Sequence, residues 1–181
     1  IIPLDSIHTP RRLMRTVKQG IFEIRVDSDF RAVMRACAAS SPVRRETWIN
    51  QRITDLYCEL HKMGHAHCVE CWQDNHLVGG LYGVKLGGAF FGESMFSNAT
   101  GGSKIALAYL VHRLNAAGFT LFDTQFITPH LASLGAVEIP RTAYRKQLET
   151  ALKTPANITR PTTPNAAQLI QDHKIRTRRN V

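Results

Sequence analysis

The sequence predicts an α+β protein in which a mixed sheet is flanked by helices, and two observations carry that prediction. Three consecutive segments between residues 67 and 96 alternate apolar and polar side chains with a period of two, which is typical of strands. The segments on either side repeat apolar residues every three or four positions, which is typical of helices. A run of neighbouring strands bounded by helices favours an α+β arrangement.

The first 62 residues are predicted to form a mostly helical part. Thr9-Pro10 is a favourable helix start, because Thr caps free N–H groups and Pro fits the first helical position, and Gly20 is a favourable stop. The other elements predicted here are a strand over 22–26, a helix over 28–38, a loop over 40–46 and a helix from Asn50 to Gly64.

Residues 67–96 are predicted to form a three-stranded antiparallel meander. Its strands read HCVECWQ (67–73), HLVGGLYGVKL (76–86) and AFFGESMF (89–96). Between them stand Asp74-Asn75 and Gly87-Gly88, which are residue types that tight hairpin turns require.

The rest of the chain alternates helices with strands and then loses its pattern. The predicted elements are a helix from Ser103 to Gly118, a strand over 119–126, a helical turn over 129–134, a strand over 136–139 and a helix from Pro140 through Leu148. Beyond residue 153 the Pro- and Thr-rich sequence predicts an extended segment. The predicted organisation is a helical part over 1–62, a core with the active site over 63–152 and an extended basic tail over 153–181.

The formal net charge of +9 is unevenly distributed along the chain. Residues 1–62 carry a net charge of +4, residues 63–138 a net charge of −2 and residues 139–181 a net charge of +7. A weakly charged centre between basic segments is expected of a catalytic core bordered by surfaces that contact phosphates. Basic ends that merely keep the fold solvated are the alternative interpretation.

Cysteine usage and hydropathy favour a soluble cytoplasmic protein. No apolar run approaches the roughly 18 residues of a membrane span, and no secretion leader is recognisable. Cys68 and Cys71 have the C-x-x-C spacing of zinc sites, but strand alternation places their thiols on opposite faces. We therefore predict structural cysteines and no metal. Cys37 and Cys58 stand alone on predicted helices, and four reduced thiols suit the cytoplasm.

Glu93 is the first candidate for chemistry. It lies in the strand FFGESMF, with Phe90, Phe91, Met95 and Phe96 as neighbours. A carboxylate among aromatic side chains is costly unless it meets a cation, so a cationic substrate group would be a suitable partner. A solvated acid on an exposed strand face is the plainer alternative.

Asp123 and Gln125 form a second candidate within LFDTQF. Strand periodicity places both side chains on one face and Phe122 and Phe126 on the other. Such a polar pair needs hydrogen-bond partners. Either it caps a neighbouring loop, or it holds a reacting group.

The glycine-rich stretch NATGGSK (98–104) is the third candidate. It does not match the phosphate loop G-x-x-x-x-G-K-[ST]. It matches weakly the pyrophosphate loop Q/R-x-x-G-x-G/A of coenzyme A acetyltransferases, with Asn98 at the first position and Ser103 at the last. A turn from strand to helix, with Ser103 near the helix N-cap, is the plainer interpretation.

Several segments together resemble the bacterial leucyl/phenylalanyl-tRNA–protein transferase family, over about residues 3–148. GESMFS and DTQ…HLASLGAVEIPR form the most specific pair. The segments are HKMGHAH (61–67), LVGGLYGV (77–84), GGAFFGESMFS (87–97), SKIALAYLV (103–111) and DTQFITPHLASLGAVEIPR (123–141).

The resemblance implies a fold like that of the GCN5-related acyltransferases and an aminoacyltransferase without coenzyme A, other cofactors or metal. Its partners would be tRNA charged with Leu, Phe or Met and proteins with N-terminal Arg or Lys, which the transfer marks for degradation. No membrane is implied. The basic flanks would contact tRNA phosphates.

The resemblance also implies roles for single residues. Gln125 would orient the attacking amine or the reacting carbonyl, Asp123 would polarise that arrangement, and Glu93 would hold the basic acceptor. Trp48 matches an aromatic residue that stacks on the terminal adenine of the tRNA. The residues that match the apolar pocket for the donor side chain are Leu81, Phe90, Met95, Leu107, Leu114 and Phe122, each of which core packing alone would also explain.

The chain departs from the family pattern at three points. The family has an N-terminal block rich in Trp, Phe and Pro that helps to cover the donor site, and this sequence starts after it, so we expect either a fragment or a second polypeptide that supplies this wall. Asn98 stands where the family has Arg, and Glu46 stands where it has Gly. Two alternatives therefore stay open: a coenzyme A-dependent N-acyltransferase and a non-catalytic RNA-binding remnant of the family.

Overall fold

A computed structural model describes residues 1–5, 10–39 and 47–171 of the chain. The predicted N-cap Thr9, the predicted loop over 40–46 with Glu46, and residues 172–181 of the predicted tail lie outside these described residues. None of the helices in the described part is long and apolar enough to cross a membrane.

The helices and strands follow the sequence patterns closely. The helices are α1 (Arg11–Gln19), α2 (Phe30–Ala38), α3 (Gln51–Lys62), α4 (Gly102–Ala116), α5 (Pro129–Ala132) and α6 (Arg141–Lys153). The strands are β1 (Glu23–Val26), β2 (Ala66–Gln73), β3 (His76–Leu86), β4 (Ala89–Ser97) and β5 (Leu121–Asp123). Asn50 caps α3 as predicted, since its side chain accepts a 2.9 Å hydrogen bond from the Ile53 amide.

In the described residues the strands form one mixed sheet in the order β1-β2-β3-β4-β5. Neighbours are antiparallel from β1 to β4, whereas β5 runs parallel to β4. A parallel pair needs a crossover connection, and α4 supplies it. The predicted meander and the α+β class with flanking helices are confirmed.

The hairpin between β2 and β3 turns at Asp74 and Asn75. Both have positive φ values, 48° and 59°, which is the backbone of a type I′ turn. This turn matches the twist of antiparallel strands and pairs Gln73 with His76. The turn chemistry read from the sequence therefore fixes the register of the sheet.

The two faces of the sheet pack into separate cores. Helices α1 and α4 cover the face that includes Cys71 and Leu81, and α2 and α3 cover the face that includes Cys68 and Tyr82. The predicted placement of Cys68 and Cys71 on opposite faces is confirmed, and both thiols are free and buried. One metal ion could not reach both sulfur atoms.

The glycine-rich turn into α4 serves close packing. Gly101, at the N-cap, has φ +86°, a conformation that glycine adopts without strain. A Cβ on Gly79 of β3 would lie 2.6 Å from the carbonyl carbon of Gly102, so two backbones touch here. Ser103, predicted near the N-cap, is the second residue of α4, and its amide donates to Ser97 Oγ at 3.2 Å. The plainer interpretation, a strand-to-helix turn, fits this geometry.

Two predicted strands differ from the structure. The strand expected over 119–126 contains only Leu121–Asp123, because the backbone reverses at Gln125, whose φ is +62°. Residues 136–139 are not a strand either. Val137 and Ile1 exchange two main-chain hydrogen bonds of 2.9 Å, and this single pair of residues is too short to form a ladder.

Residues 154–171 are packed on the core, although an extended tail was expected. Ile158 is fully buried and Leu169 is 5% exposed. The Arg113 guanidinium of α4 donates to the Ile158 carbonyl at 2.7 Å and to Thr163 Oγ1 at 3.0 Å. Residues 166–171 form a helical turn. Single apolar residues scattered among Pro and Thr dock this segment, and composition alone gives no sign of that.

Candidate active site

A cavity of about 590 Å³ opens beside β3, β4 and α4. Leu81, Met95, Leu107 and Phe122 line it, so the structure brings together four of the residues predicted for the donor side chain. Leu81 and Met95 are paired in the β3–β4 register, which puts both side chains on the same face of the sheet. The cavity thus has an apolar wall built from two adjacent strands, a helix and β5.

Phe90 and Leu114, predicted for the same pocket, do not line this cavity in the described structure. Both are fully buried in the core. The Phe90 ring packs edge-on against Phe122, with centroids 5.9 Å apart, and so lies one layer behind the wall. Both residues therefore belong to the core behind the cavity. For these two positions the structure fits core packing, the alternative explanation, rather than a place in the donor pocket.

Trp48 lies just before α3 and is 52% exposed. Its ring meets the edge of Tyr57, with centroids 6.4 Å apart, and Tyr57 in turn packs on Tyr82, which lines the cavity. Trp48 is therefore an exposed aromatic surface connected to the cavity through one tyrosine.

The loop after β5 holds Asp123 and Gln125 in an unusual conformation. The Phe126 amide donates to the Thr124 carbonyl at 2.6 Å, which closes a three-residue turn around Gln125 at φ +62°. A non-glycine residue at positive φ within such a turn is strained, and strain of this kind is concentrated at functional sites. Asp123 stabilises the turn, because its Oδ1 accepts a 2.7 Å hydrogen bond from the main-chain amide of Gln125. The predicted strand alternation fails here, yet the two side chains stay adjacent.

Glu93 is half-buried on the cavity wall, and its side chain is hydrogen-bonded to Gln125 of this loop. Burial raises the pKa of Glu93 above its ordinary value, side-chain hydrogen bonds with Tyr57 and Gln125 lower it, and the charge of Asp123 raises it again. The net shift is upward. Glu93 is therefore more easily protonated than an exposed glutamate, and a cation beside it would favour the ionised form.

Two tyrosines complete the polar network, and sequence reasoning identified neither. Tyr57 of α3 hydrogen-bonds to Glu93, and burial next to that carboxylate raises the pKa of Tyr57 to about 12. Tyr144 of α6 donates to Asp123 Oδ2 at 2.6 Å. Each tyrosine lies on a helix remote in sequence from its acid, so no local spacing could have indicated the contact.

His130, at the start of α5, also lines the cavity. Burial, together with the positive charge of Lys104, lowers the pKa of His130, so its imidazole is neutral at pH 7. Within the described residues its buried Nε2 has no hydrogen-bond partner. No spacing pattern in the sequence assigns a role to His130.

Asp27, His61 and His67 form a separate cluster whose ligating atoms lie within 4.8 Å of one another. His67 Nδ1 lies 2.7 Å from Asp27 Oδ2, and its Nε2 lies 3.1 Å from the Gly64 carbonyl oxygen. His61 Nδ1 lies 2.8 Å from the Ala66 carbonyl oxygen. Hydrogen bonds to protein oxygens account for these contacts, and the cluster ties β1 to β2 and the end of α3.

Asn98, where the chain departs from the family pattern, is exposed at the turn into α4. The main-chain amide of Asn98 donates a 2.7 Å hydrogen bond to the Val78 carbonyl, so the main chain rather than the side chain fixes this turn. The side chain itself is exposed to solvent and follows Ser97, which lines the cavity.

Known proteins similar to this chain bear on the chemistry of the site. A profile of the family described as leucyl/phenylalanyl-tRNA protein transferase matches residues 1–149. A leucyl/phenylalanyl-tRNA–protein transferase of Phenylobacterium zucineum is 60% identical over 87% of this chain and 71% of its own length. One of Nitrobacter winogradskyi is 56% identical over 84% of this chain and 68% of its own length.

Solved structures are similar at a lower level. An aminoglycoside acetyltransferase from an uncultured soil metagenomic sample, in complex with sisomicin, has a TM-score of 0.47 and 13% identity over 77% of this chain and 91% of its own. L-PGS from Bacillus licheniformis has a TM-score of 0.46 and 15% identity over 99% of this chain and 65% of its own.

The family profile and these relatives define the protein as an aminoacyltransferase. Its mixed sheet and its apolar cavity, which carries the acid Glu93, agree with this class. The enzyme takes an aminoacyl-tRNA and a protein as its substrates. The chain belongs to the leucyl/phenylalanyl-tRNA–protein transferase family, and the transfer of Leu or Phe from tRNA to protein is the reaction of that family.

Proposed function

We propose that this enzyme transfers Leu, Phe or Met from aminoacyl-tRNA to the N-terminal Arg or Lys of acceptor proteins, and that the new N-terminus marks them for degradation in the N-degron pathway. One observation carries the proposal: Glu93, on the wall of an apolar cavity, is hydrogen-bonded to Gln125, which belongs to the turn whose Thr124 lines the same cavity. Because aminoacyl-tRNA is a cytoplasmic substrate, we also propose that the reaction takes place in the cytoplasm.

The apolar wall of the cavity suits an apolar donor side chain such as that of Leu, Phe or Met. Leu81, Met95, Leu107 and Phe122 offer no charge and, apart from the Met95 sulfur, no polar atom. Full burial of a Leu, Phe or Met side chain is worth about 1.5–3 kcal/mol. Met95 is the adaptable member, because its flexible thioether can fit donors of different shape.

Glu93 suits the basic side chain of the acceptor. A half-buried carboxylate with a raised pKa gains most from a partner that brings its own positive charge. Arg and Lys are the residues that carry this charge at neutral pH. An acceptor that begins with Ala leaves Glu93 without a cation.

The proposed step is aminolysis of an ester. The neutral α-amine of the acceptor forms a new C–N bond with the carbonyl carbon, and the C–O bond to the tRNA ribose breaks. The nitrogen loses one proton and the ribose oxygen gains one. Gln125 would orient the amine or the carbonyl, and Asp123, which holds the Gln125 turn, would polarise that arrangement. Positioning of two bound reactants would supply much of the rate.

The tRNA would be held by stacking and by phosphate contacts. Trp48 presents an exposed ring next to Tyr57, which suits the terminal adenine. Base stacking on an aromatic residue is worth about 1–3 kcal/mol. The basic segments at both ends of the sequence would contact phosphates, and binding should therefore weaken as salt rises.

A transfer assay tests the proposal directly. The protein is incubated with radiolabelled Leu-tRNA and a peptide that begins with Arg, and in parallel with the same peptide beginning with Ala. Label on the Arg peptide alone is the expected result. Label on neither peptide would refute the transferase proposal, and salt-sensitive tRNA binding without transfer would favour a non-catalytic RNA-binding protein.

A further inference from the structure

The imidazole of His130 lines the cavity that holds Glu93, and its hydrogen bonding is incomplete. Its Nε2 is buried and has no hydrogen-bond partner among the described residues. His67 differs, since its two ring nitrogens meet Asp27 Oδ2 at 2.7 Å and the Gly64 carbonyl oxygen at 3.1 Å. A buried polar atom without a partner costs free energy and needs an explanation. In a cavity assigned to substrate, a partner brought by the substrate is that explanation.

The cap of α5 and a nearby positive charge set the position and the charge of this ring. Thr128 caps the helix, because its Oγ1 accepts a 3.2 Å hydrogen bond from the Leu131 amide, and Pro129 is the first helical residue. His130 follows Pro129 and so stands at the cavity. Burial and the positive charge of Lys104 lower the pKa of His130. The ring is therefore neutral at pH 7 and can take up a proton.

The proposed aminolysis needs a group that moves a proton. Once the C–N bond has formed, the attacking nitrogen carries one proton too many, and the ribose oxygen leaves as a hydroxyl only after it gains one. The side chain of Gln125 is an amide, which orients groups by hydrogen bonds but does not take up a proton at neutral pH. A neutral imidazole can do so, and histidine is the commonest residue in this role.

The acids of the site are engaged in other contacts. Asp123 Oδ1 accepts a 2.7 Å hydrogen bond from the main-chain amide of Gln125, and its Oδ2 accepts one of 2.6 Å from the Tyr144 hydroxyl. Glu93 is hydrogen-bonded to two neighbouring side chains and, in the proposed function, faces the cation of the acceptor. Compared with these two acids of the described site, His130 has a basic nitrogen that is still free.

We propose that His130 is the proton-transfer residue of the aminoacyl transfer. The inference rests on the proposed function, since it assigns a role within that reaction. Nε2 accepts the proton that the attacking α-amine gives up as the C–N bond forms, and returns it to the ribose oxygen as the C–O bond breaks. The imidazole is neutral again at the end, so no further reactant is needed. Gln125 then orients the reactants, and His130 moves the proton.

The test measures single-turnover transfer from radiolabelled Leu-tRNA to a peptide that begins with Arg, with the parent, His130→Ala and His130→Gln. A proton-handling group contributes about 10²–10⁴-fold, so both variants should lose at least about 100-fold in rate while they still bind Leu-tRNA. Free imidazole should restore part of the rate of His130→Ala, because it can enter the space left at the cavity. It should not restore His130→Gln, whose side chain fills that space.

His65→Ala is the matched control. His65 is exposed and lies outside the described lining of the cavity. This variant should transfer at the parent rate, and imidazole should not change that rate.

The pH dependence of the rate gives a second readout that a structural role would not move. Protonation of the attacking amine and of Glu93 is common to the parent and to His130→Gln, whereas protonation of His130 slows the parent alone. In acid, the logarithm of the parent rate should therefore fall more steeply with pH than that of His130→Gln, by about one unit of slope. Lys104→Met removes the positive charge near His130 and should move this step to higher pH.

The outcomes separate this inference from the proposed function. A His130→Gln variant that transfers at the parent rate overturns the role of His130 and leaves the transferase intact. A slow His130→Ala variant that imidazole does not restore, with equal pH slopes in the parent and His130→Gln, also overturns it. Absence of transfer by the parent refutes the proposed function, and the role of His130 with it.

Discussion

The hydroxyl of Tyr144 donates a 2.6 Å hydrogen bond to Oδ2 of Asp123 and so ties α6 to the end of β5. Burial, together with the hydrogen bond to Asp123 and its charge, raises the pKa of Tyr144 to about 12, so the hydroxyl keeps its proton at neutral pH. The second carboxylate oxygen accepts the Gln125 amide hydrogen at 2.7 Å. With both oxygens bonded, the carboxylate has one orientation, and that orientation stabilises the strained turn at Gln125.

Tyr144→Phe removes only the hydroxyl and should lower kcat for transfer to an Arg peptide. A hydrogen bond to a charged group is worth about 1.5–3 kcal/mol, which corresponds to a loss of about 10- to 100-fold. KM for Leu-tRNA should change little, because Tyr144 does not line the donor cavity. Lys146→Ala, exposed on the same helix, is the control. An unchanged kcat for Tyr144→Phe would show that Asp123 needs no such support.

Gln125→Ala and Asp123→Ala should each abolish most of the transfer activity. A positioned proton-handling or orienting group contributes about 10²–10⁴-fold, so a loss of at least about 100-fold in kcat is expected. Asp123 accepts a hydrogen bond from the main-chain amide of Gln125 and so holds the turn that carries the Gln125 side chain. The two substitutions therefore remove the same arrangement, and the double variant should be little worse than either single one. Single-turnover transfer with preformed Leu-tRNA measures this, and parent rates in both variants would refute the assignment.

Glu93 should make transfer to basic acceptors depend on pH. As pH falls through its raised pKa, the carboxylate becomes neutral and loses its attraction for an Arg side chain. KM for the Arg peptide should therefore rise in mild acid, at a higher pH than an exposed glutamate would give. Glu93→Gln should show a high KM at every pH. A KM profile that is the same in parent and variant would mean that another group holds the acceptor.

Glu93 should also lower the stability of the folded protein at neutral pH. Its pKa is raised in the folded state and ordinary in the unfolded chain, so between these values the folded state binds more protons. The contribution of Glu93 to stability is then fully present below its pKa in the unfolded chain, and it is lost as pH rises through its pKa in the folded state. Glu93→Gln should unfold a few degrees higher than the parent at neutral pH, and the gain should vanish in acid. Thermal unfolding over a pH series decides this.

Local rules predicted most of the fold. Asp74-Asn75 predicted the hairpin, and Asn50 predicted the start of α3, because turn type and helix capping depend on neighbouring residues. Alternation placed Cys68 and Cys71 on opposite faces for the same reason. Alternation failed after Asp123, because a hydrogen bond from the Gln125 main-chain amide to the Asp123 carboxylate stabilises a turn that no periodic pattern describes.

The candidate site was predictable only where a motif carried it. Glu93, Asp123 and Gln125 stood out as polar residues in apolar strands, and the structure brings them into one network. Tyr57 and Tyr144 were not identified, because each contact joins a helix to a distant segment and leaves no spacing in the sequence. Contacts set by tertiary packing of this kind cannot be read from local periodicity.

Gly79→Ala should separate β3 from the start of α4. The added Cβ would lie 2.6 Å from the Gly102 carbonyl carbon and 2.7 Å from its Cα, and backbone cannot yield as a flexible side chain can. Overpacking of this kind costs about 1–3 kcal/mol. Because Ser103 and Leu107 of α4 line the donor cavity, KM for Leu-tRNA should rise as well.

Gly64→Ala provides the comparison for Gly79→Ala. Gly64 has φ +75° and open space around the position of a Cβ. Gly64→Ala should lower the free energy of unfolding only by the cost of an alanine in the left-handed backbone conformation, about 1–2 kcal/mol. KM for Leu-tRNA should not change. Equal KM values in the two variants would show that the Gly79–Gly102 contact does not shape the cavity.

Ile158→Ala should destabilise the protein as a core substitution does, although its segment reads as a polar tail. Ile158 is fully buried, and its carbonyl accepts a 2.7 Å hydrogen bond from the buried Arg113. Truncation of a buried Ile costs about 2–5 kcal/mol. Leu152→Ala, at a position 44% exposed, should change the free energy of unfolding by no more than about 0.5 kcal/mol. Urea unfolding measures both, and equal small losses would mean that residues 154–171 do not contribute to the core in solution.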